Sequence, residues 1–256
     1  MVTETISYPA EAHLLTRKIE DNSFWYVHRN NMIVTVLNTF VNRNSKIYDL
    51  GGGNGIVAKA IQDAGYPCVL VEALPAAVEE ARKRNIESVI HSSIENFKEK
   101  DIEVMLLLDV IEHIEDDSAL LLQLRNQLKP GGNLIITVPA FQHLTTAIDK
   151  EIGHFRRYNL KQLDLLLTSA GYRISFKTYF FSLLYIPTLF ARVLPYKLGF
   201  KNNNHNNRRN KEHLAKMPLL NKIALYIFGF ETTFLRKKIK LLSGTSCLII
   251  AQKPYN

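Results

Sequence analysis

The chain has 256 residues with 46% hydrophobic content, which allows one large globular domain or one domain with a substantial cap. Its formal net charge of +8 is uneven, because residues 201–256 carry 11 Lys and Arg against 2 Asp and Glu, whereas residues 1–200 are close to neutral. Such a basic region suits a membrane surface, a nucleic acid or an acidic substrate, and a plain solvated surface would look the same.

Two further features bear on the cellular compartment. Cys68 and Cys247 both lie in apolar runs, so the sequence predicts buried thiols in a reducing compartment rather than a disulfide framework or a cysteine metal cluster. The segment from Met1 to Thr5 shows no basic residues followed by an apolar core, so no secretory signal is predicted. We therefore expect a cytoplasmic protein.

The first dense stretch combines aromatic and basic residues. Phe24, Trp25 and Tyr26 are followed by His28 and Arg29, and an apolar helical pattern then continues as far as position 41. The aromatic side chains suit the mouth of a cofactor or substrate site, and they equally suit anchors of the core. The sequence leaves both interpretations open.

A strand, a glycine turn and a helix come next. The apolar pair Ile47-Tyr48 leads to Asp49, the glycines fill positions 51–55, and residues 56–61 have a helical pattern. Glycines tolerate positive φ and let a ligand approach the backbone, while a helix N-terminus beyond them offers unpaired N–H groups. The pattern predicts a nucleotide-like cofactor at the carboxyl edge of a parallel sheet.

The glycine spacing indicates which cofactor this turn holds. A dinucleotide fingerprint needs a third glycine three residues after the second, but Gly53 is followed by Gly55 and then by Ile56, which disfavours a nicotinamide oxidoreductase. The Asp-x-Gly-x-Gly-x-Gly string instead resembles motif I of the Rossmann-like S-adenosylmethionine-dependent methyltransferases. This resemblance implies that Asp49 binds the amino-acid part of the cofactor and that Gly51, Gly53 and Gly55 pass beside it.

The next two predicted strands end in further candidate cofactor residues. Glu72 closes an apolar run 21 residues after Gly51, where its two oxygens can accept hydrogen bonds from ribose hydroxyls; an acid that caps the following helix is the alternative. In methyltransferases of this type the exit of the third strand contacts the adenine amine. That resemblance implies such a role for Ser93, although Asp is more usual there and a serine also caps turns.

A continuous apolar run from Val104 to Leu108 predicts a central parallel strand buried on both faces. The Asp-Val-Ile-Glu-His string that follows it resembles motif IV of small-molecule methyltransferases. The resemblance implies that Asp109 and Val110 lie beside the cofactor, and that Glu112 and His113 lie near the entrance of the site.

His113 is a candidate general base, since a histidine can accept a proton near neutral pH, and it is equally a candidate for orienting a loop. The carboxylates and histidine of this string are also similar to the pattern of small-RNA 2′-O-methyltransferases and some quinone O-methyltransferases. On that interpretation a metal would need a further ligand, His143 or His154. No signature fixes such a ligand, and we assign no metal site from the sequence.

The region after motif IV completes the resemblance. A helical apolar pattern over 118–128 is followed by the string Lys129-Pro130-Gly131-Gly132, which predicts a turn, and by a strand over 133–139. Leu-Lys-Pro-Gly-Gly before a β-branched strand is typical of these methyltransferases. With motif I, Glu72 and motif IV in order, the chain is identified as a member of that family over roughly residues 24–180 and the final strand.

A second polar string, His154-Phe155-Arg156-Arg157-Tyr158, lies where the family places substrate contacts. Paired arginines can clamp a carboxylate or phosphate, so Arg156, Arg157 and Tyr158 are the candidate substrate-binding residues. His154 joins His113 as a candidate for moving a proton. The alternative is that the arginines brace the loop by pairing with nearby acids.

The last third of the chain contains an insertion. Strands are predicted over 172–177 and 244–251, and residues 179–242 separate them. The apolar run 179–190 is too short to span a bilayer, Lys201–Lys211 is a basic, Asn-rich loop, and Pro218–Leu242 has a helical pattern. A helical cap and a peripheral membrane contact both fit this composition. We predict a cofactor domain formed by 1–178 and 243–256, with 179–242 as the insertion.

Taken together, the sequence predicts an α/β fold: a seven-stranded, Rossmann-like, doubly wound sheet with an antiparallel last strand and a helical insertion before it. The expected function is methyl transfer from S-adenosylmethionine to an oxygen or nitrogen of a small-molecule or lipid-like acceptor. An RNA or protein methyltransferase that docks through the basic region and a non-catalytic cofactor-binding protein are the alternatives. No nucleic-acid partner is expected, since no RNA-binding module is recognisable.

Overall fold

A seven-stranded sheet runs through the computed structural model, which describes residues 20–21, 23–199 and 218–255. The strands are β1 (Ile47–Leu50), β2 (Cys68–Glu72), β3 (Ser88–His91), β4 (Ile102–Leu108), β5 (Leu128–Pro139), β6 (Arg173–Phe180) and β7 (Ser246–Gln252). Their order is β3-β2-β1-β4-β5-β7-β6, and β7 runs antiparallel to both of its neighbours. The predicted seven-stranded sheet with an antiparallel last strand is confirmed.

Helices cover both faces of this sheet. They are α1 (Phe24–Phe40), α2 (Ile56–Asp63), α3 (Pro75–Lys83), α4 (Asp117–Gln127), α5 (Ala147–Glu151), α6 (Leu160–Ser169), α7 (Tyr185–Thr188), α8 (Leu194–Lys197) and α9 (Pro218–Arg236). A π-helical turn, Leu189–Val193, joins α7 to α8. Short 3₁₀ turns lie at Ile111–His113, Gln142–Leu144 and Ser182–Leu184.

The core consists of two apolar clusters, one on each face of the sheet. In β1, Ile47 belongs to the cluster that includes buried residues of α1, α2 and α9, whereas Tyr48 and Leu50 belong to the cluster that includes α4 and α6. Successive side chains of a strand point to opposite faces, which is why one strand contributes to both clusters. Both predicted thiols, Cys68 and Cys247, are buried and free, as expected.

The Lys-Pro-Gly-Gly string adopts a different structure from the predicted turn. It belongs to β5, whose pairing with β4 is irregular between Ile102 and Val104. Gly131 has a φ of 77° and donates its N–H to the carbonyl of Lys253, and a Cβ at Gly132 would lie 2.8 Å from the carbonyl oxygen of Ile102. The glycines therefore let β5 begin five residues before the predicted position 133, because only residues without a Cβ fit this close backbone approach.

The insertion between β6 and β7 is attached to α1 through α9. The side chain of Glu231 lies 2.8 Å from His28 Nε2 and also accepts hydrogen bonds from the backbone N–H groups of Phe181 and Ser182. The rings of Phe24 and Phe228 stack between the two helices, with centroids 5.8 Å apart. One buried carboxylate thus ties α9 both to α1 and to the chain that leaves β6.

The structure refines the predicted limits of the insertion. β6 extends to Phe180, so residues 179 and 180 belong to the sheet, and α9 ends at Arg236 rather than at Leu242. Lys201–Lys211 lies outside the described residues, and the division into domain and insertion stays a prediction. Within the described part of the chain, no helix has the length and apolar character needed to cross a membrane.

Candidate active site

The glycine turn between β1 and α2 forms a cradle at the carboxyl edge of the sheet. Gly51, Gly53 and Gly55 have φ values of 69°, 56° and 77°. This left-handed region is strained for any residue that carries a Cβ atom. A Cβ added at Gly51 would lie 3.0 Å from Val110 Cγ2, and one at Gly52 would lie 2.5 Å from Asp49 Oδ2. The predicted cofactor residues of β1 and the β4 exit therefore lie side by side.

Asp49 is buried beneath this turn and lacks a complete set of partners. Its Oδ2 has no hydrogen-bond partner among the described residues. Burial raises the pKa of this carboxyl from 3.8 to about 7; Arg29 opposes the shift, and the charge of Glu72 adds to it. A buried carboxyl oxygen without a partner fits the cationic amino-acid end of a ligand that lies against the turn, since a nearby positive charge stabilises the carboxylate.

Glu72, at the end of β2, lies directly beside the turn. Its Oε2 accepts the N–H of Gly53 at 2.9 Å, and its Oε1 accepts the N–H of Leu74 at 2.8 Å. The carboxylate thus holds the glycine turn in place, and it retains acceptor capacity because each oxygen has more than one lone pair. Its predicted contact with a ribose stays a prediction, and its position beside the cradle is compatible with it.

Asp109 has a positive φ of 55°, uncommon outside glycine, at the exit of β4. Its carboxylate accepts hydrogen bonds from Arg29 Nη1 at 2.9 Å and from Thr137 Oγ1 at 3.3 Å. The Arg29 guanidinium also lies over the rings of Trp25 and Tyr26, 5.1 and 5.4 Å from their centroids. Sequence patterns alone assign Arg29 no role, although an arginine that follows three aromatic residues is a visible signal of a polar site.

Ser93 shows the geometry of the turn-capping alternative. Its Oγ accepts the N–H of Asn96 at 3.3 Å, three residues further along. An adenine contact at the exit of β3 stays a prediction for this residue. The side chain of His91 is held to the carbonyl of Ala73 at 2.9 Å.

The second half of the site is a buried cluster formed by Glu112, His113 and His154. The two imidazole rings meet edge to face with their centroids 4.6 Å apart, and His154 Nε2 lies 3.8 Å from Glu112 Oε1. On its other side His154 Nδ1 pairs with Asp149 Oδ1 at 3.0 Å. Backbone hydrogen bonding from Phe155 to the carbonyl of Glu112 joins the two chain segments.

Glu112 and His113, and Asp149 beside the cluster, have displaced pKa values. Burial raises the pKa of Glu112 well above its usual value, and neither of its carboxyl oxygens has a hydrogen-bond partner among the described residues. Burial, together with the charge of His154, lowers the pKa of His113 from 6.5 to about 3. His113 is therefore neutral at physiological pH and a weak base. The pKa of Asp149 is held below its usual value by His154 and Arg157 despite burial.

Within the described part of the chain, these three side chains also form a candidate metal site. One ligand atom from each of Glu112, His113 and His154 lies within 4.8 Å of the others. The metal interpretation of the sequence combines Asp109, Glu112 and His113 with His143 or His154 as a further ligand. In the structure Asp109 pairs with Arg29, and His143 Nε2 bonds to Tyr185 Oη at 3.0 Å, so only His154 joins the group.

The candidate substrate residues are held by acids of the same loop. Arg156 Nη1 donates to Asp117 Oδ2 at 2.7 Å, and Tyr158 Oη donates to the same oxygen at 2.8 Å. Arg157 Nε donates to Asp149 Oδ1 at 2.7 Å. This is the geometry of the bracing alternative, and contact between these side chains and a substrate stays a prediction.

Comparison with known proteins identifies the family. A family model described as a methyltransferase domain matches residues 26–175, more than half of the chain. The chain belongs to this methyltransferase family. Its sheet is that of the Rossmann-like, S-adenosylmethionine-dependent class, and S-adenosylmethionine is the cofactor of the family.

Individual relatives match only part of the protein. The ubiquinone biosynthesis O-methyltransferase of Rickettsia felis is 31% identical over 131 residues, which cover 46% of this chain and 54% of the relative. The mitochondrial enzyme of the same name from Schizosaccharomyces pombe is 31% identical over 101 residues, covering 36% of this chain and 37% of the relative. The chain thus matches only about half or less of the length of these curated relatives.

Solved structures show the same fold over nearly the whole chain. A S-adenosylmethionine-dependent methyltransferase from Archaeoglobus fulgidus superposes with a TM-score of 0.60, covering 96% of this chain and 100% of the other at 15% identity. The arrangement of strands and helices is therefore shared well beyond the residues that the sequence relatives match.

Proposed function

We propose that the protein transfers a methyl group from S-adenosylmethionine to a hydroxyl oxygen of a small, lipid-like molecule. The observation that carries the proposal is the Asp149–His154 pair, which lies in the loops beyond the same sheet edge as the glycine cradle. The part-length relatives named as ubiquinone biosynthesis O-methyltransferases support an oxygen acceptor on an amphiphilic molecule.

The cradle residues of this chain fit the cofactor. Asp49 supplies a buried carboxyl oxygen that has no hydrogen-bond partner in the described part of the chain, and the glycines at 51–55 leave room for a ligand against the backbone. Glu72 lies beside this cradle and has acceptor capacity for the hydroxyls of a ribose, which supports the proposed contact with that part of the cofactor. When bound, S-adenosylmethionine supplies an electrophilic methyl group, so the protein must chiefly orient the acceptor and exclude water.

His154 is the proposed general base. A hydroxyl group loses its proton as it is methylated, so a proton acceptor is needed near it. With Nδ1–H donated to Asp149, the Nε2 atom of His154 is left as the acceptor, and Asp149 stabilises the imidazolium that forms. His113 packs edge-on against this ring, and its low pKa makes it a positioning residue in the proposal.

The residues that contact the methyl acceptor are proposed from their chemical character and their place in the fold. Arg156, Arg157 and Tyr158 border the loop that carries His154, and contacts between these residues and the acceptor stay part of the proposal. A lipid-like acceptor would be reached at a membrane, which is compatible with the predicted peripheral membrane contact of the 179–242 insertion. The assay below also tests the two alternatives, which are methyl transfer to RNA or protein and cofactor binding without catalysis.

The test is transfer of a radiolabelled methyl group from S-adenosylmethionine to phenols that carry alkyl chains of increasing length. The proposal predicts a labelled methyl ether, with a rate that rises with chain length and falls in His154→Ala. Label transferred only to amines, to RNA or to protein would contradict the oxygen acceptor. Cofactor binding without transfer to any of these would favour the non-catalytic alternative.

A further inference from the structure

The insertion between β6 and β7 carries most of the exposed apolar surface of the described chain. Of the seventeen large hydrophobic side chains that are exposed there, thirteen lie between positions 183 and 242. Monomeric soluble proteins rarely leave such a concentration of apolar side chains uncovered unless it meets a partner or a membrane. What covers this surface is therefore a question about function.

Part of this surface is a stripe on α9. Leu219, Ile223 and Tyr226 are spaced by four and three residues, which places them on one side of a helix, and Tyr226 is 87% exposed. The opposite side is buried against the protein: Asn221 and Phe228 are seven residues apart and face inward, as does Leu235. The helix thus has one face of mixed polar and apolar residues that packs inward, and a second, apolar face that is exposed, which packing within the domain does not explain.

A second stripe lies on the helical segment 182–197. Leu183, Ile186, Phe190 and Leu194 follow one another at three- and four-residue intervals, and Phe190 is 61% exposed. The start of this segment is held to α9 by Glu231, which accepts hydrogen bonds from Ser182 N and Oγ at 2.7 Å each. We call these two sets of residues the α9 stripe and the 182–197 stripe.

The charges around both stripes have one sign. Residues 181–199 and 218–255 contain eight Lys and Arg and a single acid, Glu231, which is buried. The basic residues include Lys222 within α9 and an exposed cluster at its end, formed by Arg236, Lys237, Lys238 and Lys240. A second copy of this surface would therefore be repelled, whereas an anionic surface would be attracted.

We infer that the two stripes and the basic cluster form a docking surface for an anionic lipid bilayer. Apolar side chains on such a surface enter the boundary between headgroups and acyl chains, while Lys and Arg contact the headgroups. Helices that lie in the interface in this way combine an apolar face with basic residues. Apolar and basic residues together thus favour a bilayer over a nucleic acid, which would contact the basic residues and the aromatic rings but leave the exposed leucines and isoleucines uncovered.

This surface adjoins the acceptor side of the site. Tyr185, in the 182–197 segment, bonds to His143 and contacts the ring of Phe141, both in the loop that follows β5. That loop continues directly into α5, which carries Asp149. Insofar as the proposed function holds, a lipid-like acceptor could pass from the bilayer to His154 along this loop; the docking itself does not depend on it.

The test is flotation of the full-length protein with vesicles of phosphatidylcholine that contain or lack phosphatidylglycerol. Each basic residue near an anionic surface strengthens binding roughly fivefold, so we expect binding to the anionic vesicles to exceed binding to the neutral ones by tenfold or more and to weaken as salt is raised. Equal binding to both vesicle types, or no binding to either, would overturn the inference.

Paired charge variants test the two stripes against a matched control. Ile186→Glu with Phe190→Glu, and Leu219→Glu with Tyr226→Glu, should each weaken vesicle binding by about tenfold or more, since glutamate adds a negative charge and removes apolar surface. Leu122→Glu with Leu165→Glu alters the net charge equally at exposed apolar positions elsewhere and should bind much more strongly than the stripe variants. Equal losses of vesicle binding in all three double variants would show an effect of net charge alone and would contradict the role of the two stripes.

Two further measurements separate the outcomes. A mass in solution that falls from dimer to monomer in the stripe variants, without vesicle binding by the wild type, would show that a second copy covers the surface and would overturn the inference. His154→Ala should bind vesicles as the wild type does while losing methyl transfer. Failure of the proposed function and failure of the docking surface are thereby distinguishable.

Discussion

Two groups of acids lie around the carboxyl edge of this sheet, and they differ in how they are paired. Among the described residues of the cradle, Asp49 has a buried oxygen without a hydrogen-bond partner, and Glu72 accepts hydrogen bonds from the backbone N–H groups of Gly53 and Leu74. In the acceptor loop, Asp117 is shared by Arg156 and Tyr158, and Asp149 is shared by His154 and Arg157.

This difference separates acids that would bind a ligand from acids that hold a loop in place through ion pairs. A buried carboxyl group without a charged partner is costly, and a ligand with cationic and hydroxyl groups can repay that cost. A carboxylate that is already paired with arginine gains little from a ligand and instead holds its loop. We therefore propose that Asp49 and Glu72 recognise the cofactor, and that Asp149 and Arg157 orient His154.

The largest effect should come from removing the proposed base. His154→Ala should lower kcat by roughly 10²–10⁴-fold, the range for loss of a general base, while affinity for S-adenosylhomocysteine stays unchanged. His143→Ala is the matched control, since that exposed histidine bonds to Tyr185 and lies outside the buried cluster. Equal kcat values for the two variants would remove His154 from the reaction.

The pH dependence of the cradle gives the next largest effect. Because the ligand-free pKa of Asp49 is about 7, the ionised form that attracts a cationic ligand grows as the pH rises through 7. Affinity for S-adenosylhomocysteine should therefore rise roughly tenfold between pH 5.5 and 7.5.

The free energy of unfolding should change in the opposite direction over that range. The folded-state pKa of Asp49 is raised above 3.8, so its contribution to stability is fully present below pH 3.8 and is lost as the pH rises through about 7. Asp49→Asn should flatten both profiles, as followed by calorimetry and by urea unfolding. A variant that keeps both slopes would show that another group titrates.

The two arginines of the acceptor loop should differ from each other. Arg157→Ala removes the cation beside Asp149 and should lower kcat about fivefold through the orientation of His154, with KM unchanged. Arg156→Ala should chiefly lower the melting temperature, by a few degrees for a pair worth about 1 kcal/mol. A rise in KM alone for either variant would instead support the predicted clamp on the acceptor.

The smallest effect should come from Glu112→Gln. Burial raises the pKa of Glu112 well above its usual value and so favours the protonated carboxyl, which is why the neutral isostere should leave kcat within about twofold. Steady-state assays with and without a chelator check this result. Loss of activity in the variant, together with chelator sensitivity of the wild type, would show that Glu112, His113 and His154 hold a metal.

The cradle could be predicted from the sequence because its residues are contiguous or one strand-helix-strand step apart. Asp49, the glycines and Glu72 follow from that local spacing. Arg29 could not be placed, since it reaches Asp109 across 80 positions and no periodicity links them. The hydrogen bond from Tyr158 to Asp117 spans 41 positions and likewise cannot be predicted from a local pattern.

Two local patterns indicate the wrong or an incomplete structure because their tertiary partners are distant in sequence. The Lys-Pro-Gly-Gly string predicts a turn, yet the backbone of its two glycines pairs with Lys253, the residue after β7, which is far away in sequence. In the insertion, helical periodicity marks apolar stripes, but it does not tell which stripe faces α1. That choice depends on tertiary partners such as His28 and Glu231.

The most direct test of the contrast between the two groups of acids is calorimetric titration of S-adenosylhomocysteine into the wild type, Glu72→Ala and Arg156→Ala. The account predicts binding to the wild type, a loss of roughly 100-fold or more in Glu72→Ala because hydrogen bonds to a charged group are worth about 1.5–3 kcal/mol each, and unchanged affinity in Arg156→Ala. Equal affinity of the wild type and Glu72→Ala, or loss in Arg156→Ala, would contradict it.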